Sequence, residues 1–306
     1  MRTRVAAVMI LVLAVLAGCA SYPLVEDPSV NAGSRIRQLV LHFTSEDFAE
    51  SRRLLTQRTA NPVSAHYLVP APGGADGDPS YPARRVVVHR LVPEARRAWH
   101  AGRSQWRGET ALNNSSIGIE IVNLSRCEPR AGVLAVAGPE DEDCRFLPYP
   151  EAQLAVVIAL AQDILARHPD IAPWNVVGHA DIAPTRKVDP GPLFPWARLH
   201  QAGIGAWYEE ETVARYRARF EAARPSLAML QAALAAWGHA VDVTGEDDAR
   251  SRYAVRAFQM HFRPRRHDGV FDAETAAILH ALLERYHPEA LAALGARAAP
   301  GPFGQD

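Results

Sequence analysis

Cysteine is scarce in this chain: three among 306 residues, at positions 19, 127 and 144. Neither Cys127 nor Cys144 has another cysteine or a histidine at finger spacing, which argues against free thiols as metal ligands. A surplus of one charge is also missing. The formal net charge is -1, so bulk electrostatics gives no case for nucleic acid, and a basic run such as "RPRRH" (263–267) reads as a solvated turn. The apolar run "VAAVMILVLAVLAG" (5–18) has fourteen residues, short of the ~20 a bilayer span needs. Coiled-coil heptads and an obvious exposed apolar stripe are absent, which leaves a monomer as the expectation. What remains is the composition of a globular protein, 48% hydrophobic and 22% charged, long enough for one large domain or two smaller ones.

The first residues bear on the compartment. "MRTR" is a positively charged start, and 5–18 has the length of a secretory signal core. It ends in "LAGC", which resembles the lipobox of bacterial lipoproteins. That resemblance implies cleavage after residue 18 and lipidation of Cys19. Ala20, where an Asp would retain the protein at the inner membrane, resembles the pattern for an outer-membrane lipoprotein facing the periplasm. Residues 19–34, rich in Pro, Gly, Ser and Asn, read as a tether. An envelope compartment permits disulfides. Cys127 and Cys144 stand seventeen residues apart in a Gly-, Pro- and acid-rich segment and are the candidate pair.

From residue 35 to 206 strand and helix patterns interleave. Strands are expected over 37–44, 63–70, 83–92, 115–123 and 173–179, and helices over 44–57, 149–168 and 195–203. In "SSIGIEIVN" (115–123), Ile117, Ile119 and Ile121 share one face and Gly118 and Glu120 the other. This predicts an α/β domain with a mixed central sheet flanked by helices. Residues 207–224 are polar and read as a linker. Three helical runs (225–238, 248–262 and 272–286) predict a small three-helix C-terminal domain over 225–290, followed by a flexible tail at 291–306.

Chemistry-bearing residues fall at strand ends. His42 closes "LVLHFT" and His179 follows "PWNVVGH". Two histidines at the ends of adjacent strands, with a downstream aspartate, could surround one metal, because catalytic Zn²⁺ sites use three His, Asp, Glu or Cys ligands and leave one position open. Asp181 and Asp189 both lie within reach in sequence. A metal hydrolase also needs a carboxylate to take a proton and a cation near the developing oxyanion. Glu120 stands alone on the less apolar face of its strand. Lys187, two residues before Asp189, would point the same way as Asp189 in an extended segment.

These residues sit in "LVLHFT", "VSAHYLV", "AWHAGRSQWRG" (98–108), "NNSSIGIEIVN" (113–123) and "VVGHADIAPTRKVDPGPLFPW" (176–196). In that order the segments resemble the zinc-dependent N-acetylmuramoyl-L-alanine amidases of the amidase-2 group, related in fold to peptidoglycan recognition proteins. The resemblance spans almost the whole first domain. It implies Zn²⁺ bound by His42, His179 and Asp189, with Asp181 set aside. It implies Glu120 as general base and Lys187 as the oxyanion's partner. His66 and Tyr67 match a family strand. The loop holding Trp99, His100 and Trp106 would line the substrate groove, unless its aromatics only anchor the loop, and Asn114 would bind the peptide stem. The remaining histidines have no motif support.

The C-terminal runs "LQAALAAWG", "YAVRAFQMHF" and "DGVFDAET" resemble the three-helix peptidoglycan-binding module, though 239–252 lacks its usual glycine-rich loop. Together the resemblances imply a lipid-anchored amidase acting on peptidoglycan or muropeptides. The alternatives are a non-catalytic muropeptide-binding lipoprotein, a structural tether between membrane and wall, and a zinc peptidase cutting within the stem.

Overall fold

The computed structural model of the chain describes residues 33–74, 77–133 and 138–298, with Ser29 and Asn31. The expected signal segment 1–18, Cys19, most of the tether and the tail from 299 lie outside the described residues. Strand β1 (Gln38–Phe43) comes first and is followed by helix α1 (Phe48–Thr56), which Asp47 caps by accepting from the Glu50 backbone N–H. Strands β2 (Tyr67–Val69) and β3 (His89–Arg90) are shorter than the sequence pattern predicts. A small hairpin, β4 (Gln105–Trp106) and β5 (Glu109–Thr110), turns through Arg107 and Gly108, both at positive φ, as a two-residue hairpin turn requires. Then come β6 (Ser116–Ile121), the hairpin β7 (Arg126–Pro129) with β8 (Glu142–Arg145), helix α2 (Glu151–Arg167), β9 (Val176–Gly178), the single turn α3 (His179–Ile182) and α4 (Trp196–Gln201). Cys127 and Cys144 pair across the β7–β8 hairpin and are joined by a disulfide.

The main sheet has the order β3-β2-β6-β1-β9; β1, β2, β6 and β9 run parallel, and β3 is antiparallel at the edge. Its two faces meet different neighbours. Leu39 and Leu41 of β1 and the three isoleucines of β6 pack on Leu154, Val157 and Ile164 of α2. The opposite face carries Gln38, Val40 and His42, with Ser116, Gly118 and Glu120 alongside. Because side chains alternate across a sheet, the register that buries the isoleucines directs Glu120 to the other side.

The C-terminal region holds α5 (Glu210–Ala222), α6 (Leu227–Trp237), α7 (Ala249–Phe262), α8 (Ala273–Tyr286) and α9 (Pro288–Ala298). The linker expected over 207–224 is therefore mostly helix. Val213, Tyr216 and Phe220 are buried, and the Tyr216 hydroxyl donates to Glu284 of α8 at 2.6 Å. Three apolar residues among many charges make a stripe too narrow to stand out by hydropathy. The tail expected from 291 is likewise helical as far as Ala298. Nor is this region a separate bead. Val40, Ala101, Trp106, Leu112 and Val177 share one hydrophobic cluster with Leu234, Trp237 and Phe258, and the Arg107 backbone N–H donates to Gly238 at 2.9 Å.

Candidate metal centre and groove

Three parallel strand ends converge on one point. His42 pairs with Glu120 in the β1–β6 register, and Gly178 pairs with Leu41 on the other side, so His179 follows one step beyond. Open sheets of this kind carry their sites at the carboxyl ends of parallel strands. Asp189 arrives from the loop after α3. That loop is held by the Ala180 backbone N–H donating to the Asp189 carbonyl at 2.9 Å and by the Tyr149 hydroxyl donating to the Pro190 carbonyl at 2.7 Å. Gly178 is required here, since a Cβ would lie 2.6 Å from the Pro190 ring.

His42 Nδ1, His179 Nδ1 and Asp189 Oδ2 form a nearly equilateral triangle with edges of 3.0, 3.0 and 3.1 Å. All three side chains are buried. His179 Nε2 lies 3.1 Å from the Ala101 carbonyl, an acceptor, and 3.3 Å from Arg186 Nη2, a donor. Burial first, and the neighbouring His179 next, lower the His42 imidazole to about 4, so His42 is neutral near pH 7. Burial would raise the Asp189 carboxyl, but the charge and hydrogen bonds of His179 and His42 outweigh it and hold the group well below the usual carboxylate range. Two imidazole nitrogens and a carboxylate oxygen about 3 Å apart fit a small dication. Tetrahedral ligands at ~2.0 Å are separated by roughly 3.3 Å.

Glu120 stands beside this triangle. Its Oε2 is buried without a hydrogen-bond partner, and burial, followed by the charge of Asp189, pushes its carboxyl up to about 8. A group so tuned can take and return a proton near neutral pH. Lys187 is the sole lysine among 33 basic residues. It lines, with Glu120, Asp189, Trp99 and Arg126, a groove of about 340 Å³ above the triangle. Trp99 is 47% exposed, an apolar face open to a ligand.

Other expected site residues lie elsewhere. Asp181 turns away from the triangle and accepts from the Gly178 backbone N–H at 2.7 Å and from His261 Nδ1 at 2.8 Å. His66 is fully buried, accepting from the Gly118 backbone N–H and donating to the Arg96 carbonyl. The Tyr67 hydroxyl donates to Glu94 at 2.6 Å. Trp106 is 1% exposed and donates to the Trp174 carbonyl; it anchors the seam with the helical region instead of lining the groove. Asn114 precedes the far end of β6, outside the groove, and accepts from Arg97. Its neighbour Asn113 holds the His100 loop by accepting from the His100 and Ala101 backbone N–H groups. His100 lines the groove, but its ring nitrogens face His42 and Ser116. Sequence reasoning missed Ser116, Asn113 and Arg126. The signal for Ser116 was its place two residues before Gly118 and four before Glu120, on one strand face.

A family model described as N-acetylmuramoyl-L-alanine amidase matches residues 32–192, and one described as a putative peptidoglycan binding domain matches residues 223–279. N-acetylmuramoyl-L-alanine amidase AmiD of Escherichia coli (strain K12) is 46% identical over 256 residues, covering 82% of this chain and 84% of that protein. Among solved structures, AmpDh3 from Pseudomonas aeruginosa superposes with a TM-score of 0.75 at 46% identity, over 85% of this chain and 96% of that one. The E. coli AmiD complex with the substrate anhydro-N-acetylmuramic acid-L-Ala-D-gamma-Glu-L-Lys superposes with a TM-score of 0.69 at 43% identity, over 85% of this chain and 93% of that one.

Proposed function

The chain belongs to the N-acetylmuramoyl-L-alanine amidase family, and we propose that the groove above His42, His179 and Asp189 is where it acts. The protein hydrolyses the amide between N-acetylmuramic acid and L-alanine in peptidoglycan or its fragments. His42 Nδ1, His179 Nδ1 and Asp189 Oδ2 would hold Zn²⁺, which would supply polarisation of the amide carbonyl and a water acidic enough to attack near neutral pH.

The chain's own groups do the rest. Glu120 accepts the proton of the attacking water and passes it to the departing L-alanine nitrogen. The water oxygen bonds to the lactyl carbonyl carbon as the C–N bond breaks, leaving a free peptide amine and a carboxyl group that gives the second water proton to solvent. Lys187 donates to the oxyanion that develops at the carbonyl, where a positioned cation counts for most in a water-poor groove. Trp99 offers its face to the sugar ring or stem. The single observation that carries this reading is the 3.0–3.1 Å triangle of donor atoms, with the partnerless carboxylate of Glu120 next to it in register.

The protein is a monomer tethered through lipidated Cys19 to the outer membrane, facing the periplasm. Support comes from "LAGC" followed by Ala20 and from the Cys127–Cys144 bridge, which suits an oxidising compartment.

The test is mass spectrometry of a defined N-acetylmuramoyl-peptide incubated with the protein, with and without a chelator and with Glu120→Ala. Free peptide beginning at L-alanine, lost on chelation and in the variant, is the expected result. Cleavage within the stem would discard the amidase assignment. For the anchor, Cys19→Ser should release the protein from the membrane fraction.

A further inference from the structure

We infer that Ser116 and His100 form a positioning relay that fixes which nitrogen His42 presents to the metal; this rests on the zinc reading above. Four groups stand in line. Ser116 Oγ lies 2.6 Å from the Leu112 carbonyl oxygen and 3.2 Å from His100 Nε2. His100 Nδ1 lies 2.9 Å from His42 Nε2, and His42 Nδ1 is a corner of the ligand triangle.

The proton directions follow from one end. A carbonyl oxygen only accepts, so the single hydroxyl proton of Ser116 goes to Leu112. Pointing it at His100 instead would leave two oxygen acceptors facing each other at 2.6 Å with no proton between them. Ser116 Oγ therefore accepts from His100 Nε2–H. His100, as a neutral imidazole, is then an acceptor at Nδ1, and His42 Nε2 must carry a proton to donate there. His42 Nδ1 is left bare toward Asp189 and His179. A backbone carbonyl in the turn before β6 thus sets the tautomer of a ligand on β1, by two side chains and without any charge.

The strand is cut to hold this relay. Ser116, Gly118 and Glu120 alternate on one face of β6. A Cβ at Gly118 would lie 2.4 Å from His100 Cγ, so the ring takes the space a side chain would fill. The His100 backbone N–H and that of Ala101 are both held by Asn113 Oδ1, at 3.0 and 2.8 Å. One strand face therefore supplies the relay's hydroxyl, the gap for its ring and the neighbouring carboxylate. Ligand histidines depend on such outer partners for orientation and basicity, and losing one typically costs ~10- to 100-fold in metal affinity.

Two measurements test this. Two-bond ¹⁵N–¹H correlation spectra of the metal-stripped protein, with histidine labelled, should report His42 protonated at Nε2, although Asp189 Oδ2, 3.0 Å from Nδ1, draws the proton toward the other nitrogen. The same signal should become a tautomer mixture in Ser116→Ala. Zinc affinity, measured by competition with a chromogenic chelator, should fall ~10- to 100-fold in His100→Leu and Ser116→Ala. His100→Gln should restore much of it, because an amide has both an acceptor and a donor. A His42 protonated at Nδ1, or zinc bound as tightly by a folded Ser116→Ala as by the unsubstituted protein, would overturn the relay. Zinc uptake by the unsubstituted protein decides the metal reading and the nitrogen spectrum decides the tautomer, so the two can fail separately.

Discussion

His261 of the second domain meets Asp181 of the first at 2.8 Å, with both side chains buried. Asp181 belongs to the turn that begins with the ligand His179, and it also accepts from the Gly178 backbone N–H. The His261 ring stacks on Trp196 with centroids 3.7 Å apart. The region matching a peptidoglycan-binding module thus helps to hold the loop behind the metal centre.

Breaking that contact from one side should be costly, because it strands the Asp181 carboxylate away from water. His261→Phe is expected to lower stability by about 3 kcal/mol. Adding Asp181→Ala should recover part of the loss, since the stranded charge goes with it. Urea unfolding of the two single variants and the double variant checks this; simple additivity would rule out a coupled pair.

Glu120→Gln should lower turnover by at least ~10²-fold while zinc content stays the same. The parent protein's stability should also depend on pH in a stated direction. In the metal-free fold the carboxyl rises from 4.5 to about 8. Below pH 4.5 it is neutral in both folded and unfolded chains and costs nothing. Between 4.5 and 8 the unfolded chain loses a proton that the fold keeps, so the parent protein loses stability as pH climbs. Glu120→Gln escapes this loss. Calorimetry in chelator should show the variant gaining on the parent through that window, and parallel curves would sink the assignment.

Lys187 is the only side-chain amine in the chain, which makes a chemical experiment clean. Acetylation at this one position, followed by mass, should remove activity in proportion to labelling. Lys187→Met should lower kcat ~10²- to 10³-fold with little change in KM or zinc content. Lys187→Arg should recover only part, because a planar guanidinium does not replace a compact ammonium. A loss confined to KM would instead make Lys187 a substrate-binding residue.

Gly118→Ala should drive the His100 ring out of its place. Overpacking of this kind costs about 1–3 kcal/mol, and the displaced ring should weaken zinc binding as well. A variant with parental melting temperature and zinc affinity would show that the strand face tolerates a side chain there.

Much of this site could be read from residue order. His42 and His179 stand where apolar strands end, and alternation in 115–123 set Glu120 apart from the isoleucines. The loop residues were harder. Trp99 and Trp106 share one motif, yet one lies open in the groove and the other is sealed against Trp174, because a hairpin turn between β4 and β5 sends the second into the seam. Asn113 and Asn114 are adjacent, and only the first supports the His100 loop. Local sequence does not say which of two neighbours faces in where no periodicity applies.

The same division runs through the whole chain. Period-two and helical hydropathy determined the strand and helix types, and the motif order determined the family, because both are properties of residues close in sequence. The tertiary structure decided what depends on distant residues meeting: the donor triangle, the shared core that joins the two domains, Asp181 facing His261 instead of the metal, and the direction of the protons between Ser116 and His42. Those outcomes turn on contacts of 2.8–3.2 Å between side chains from different strands and loops, which only packing can set.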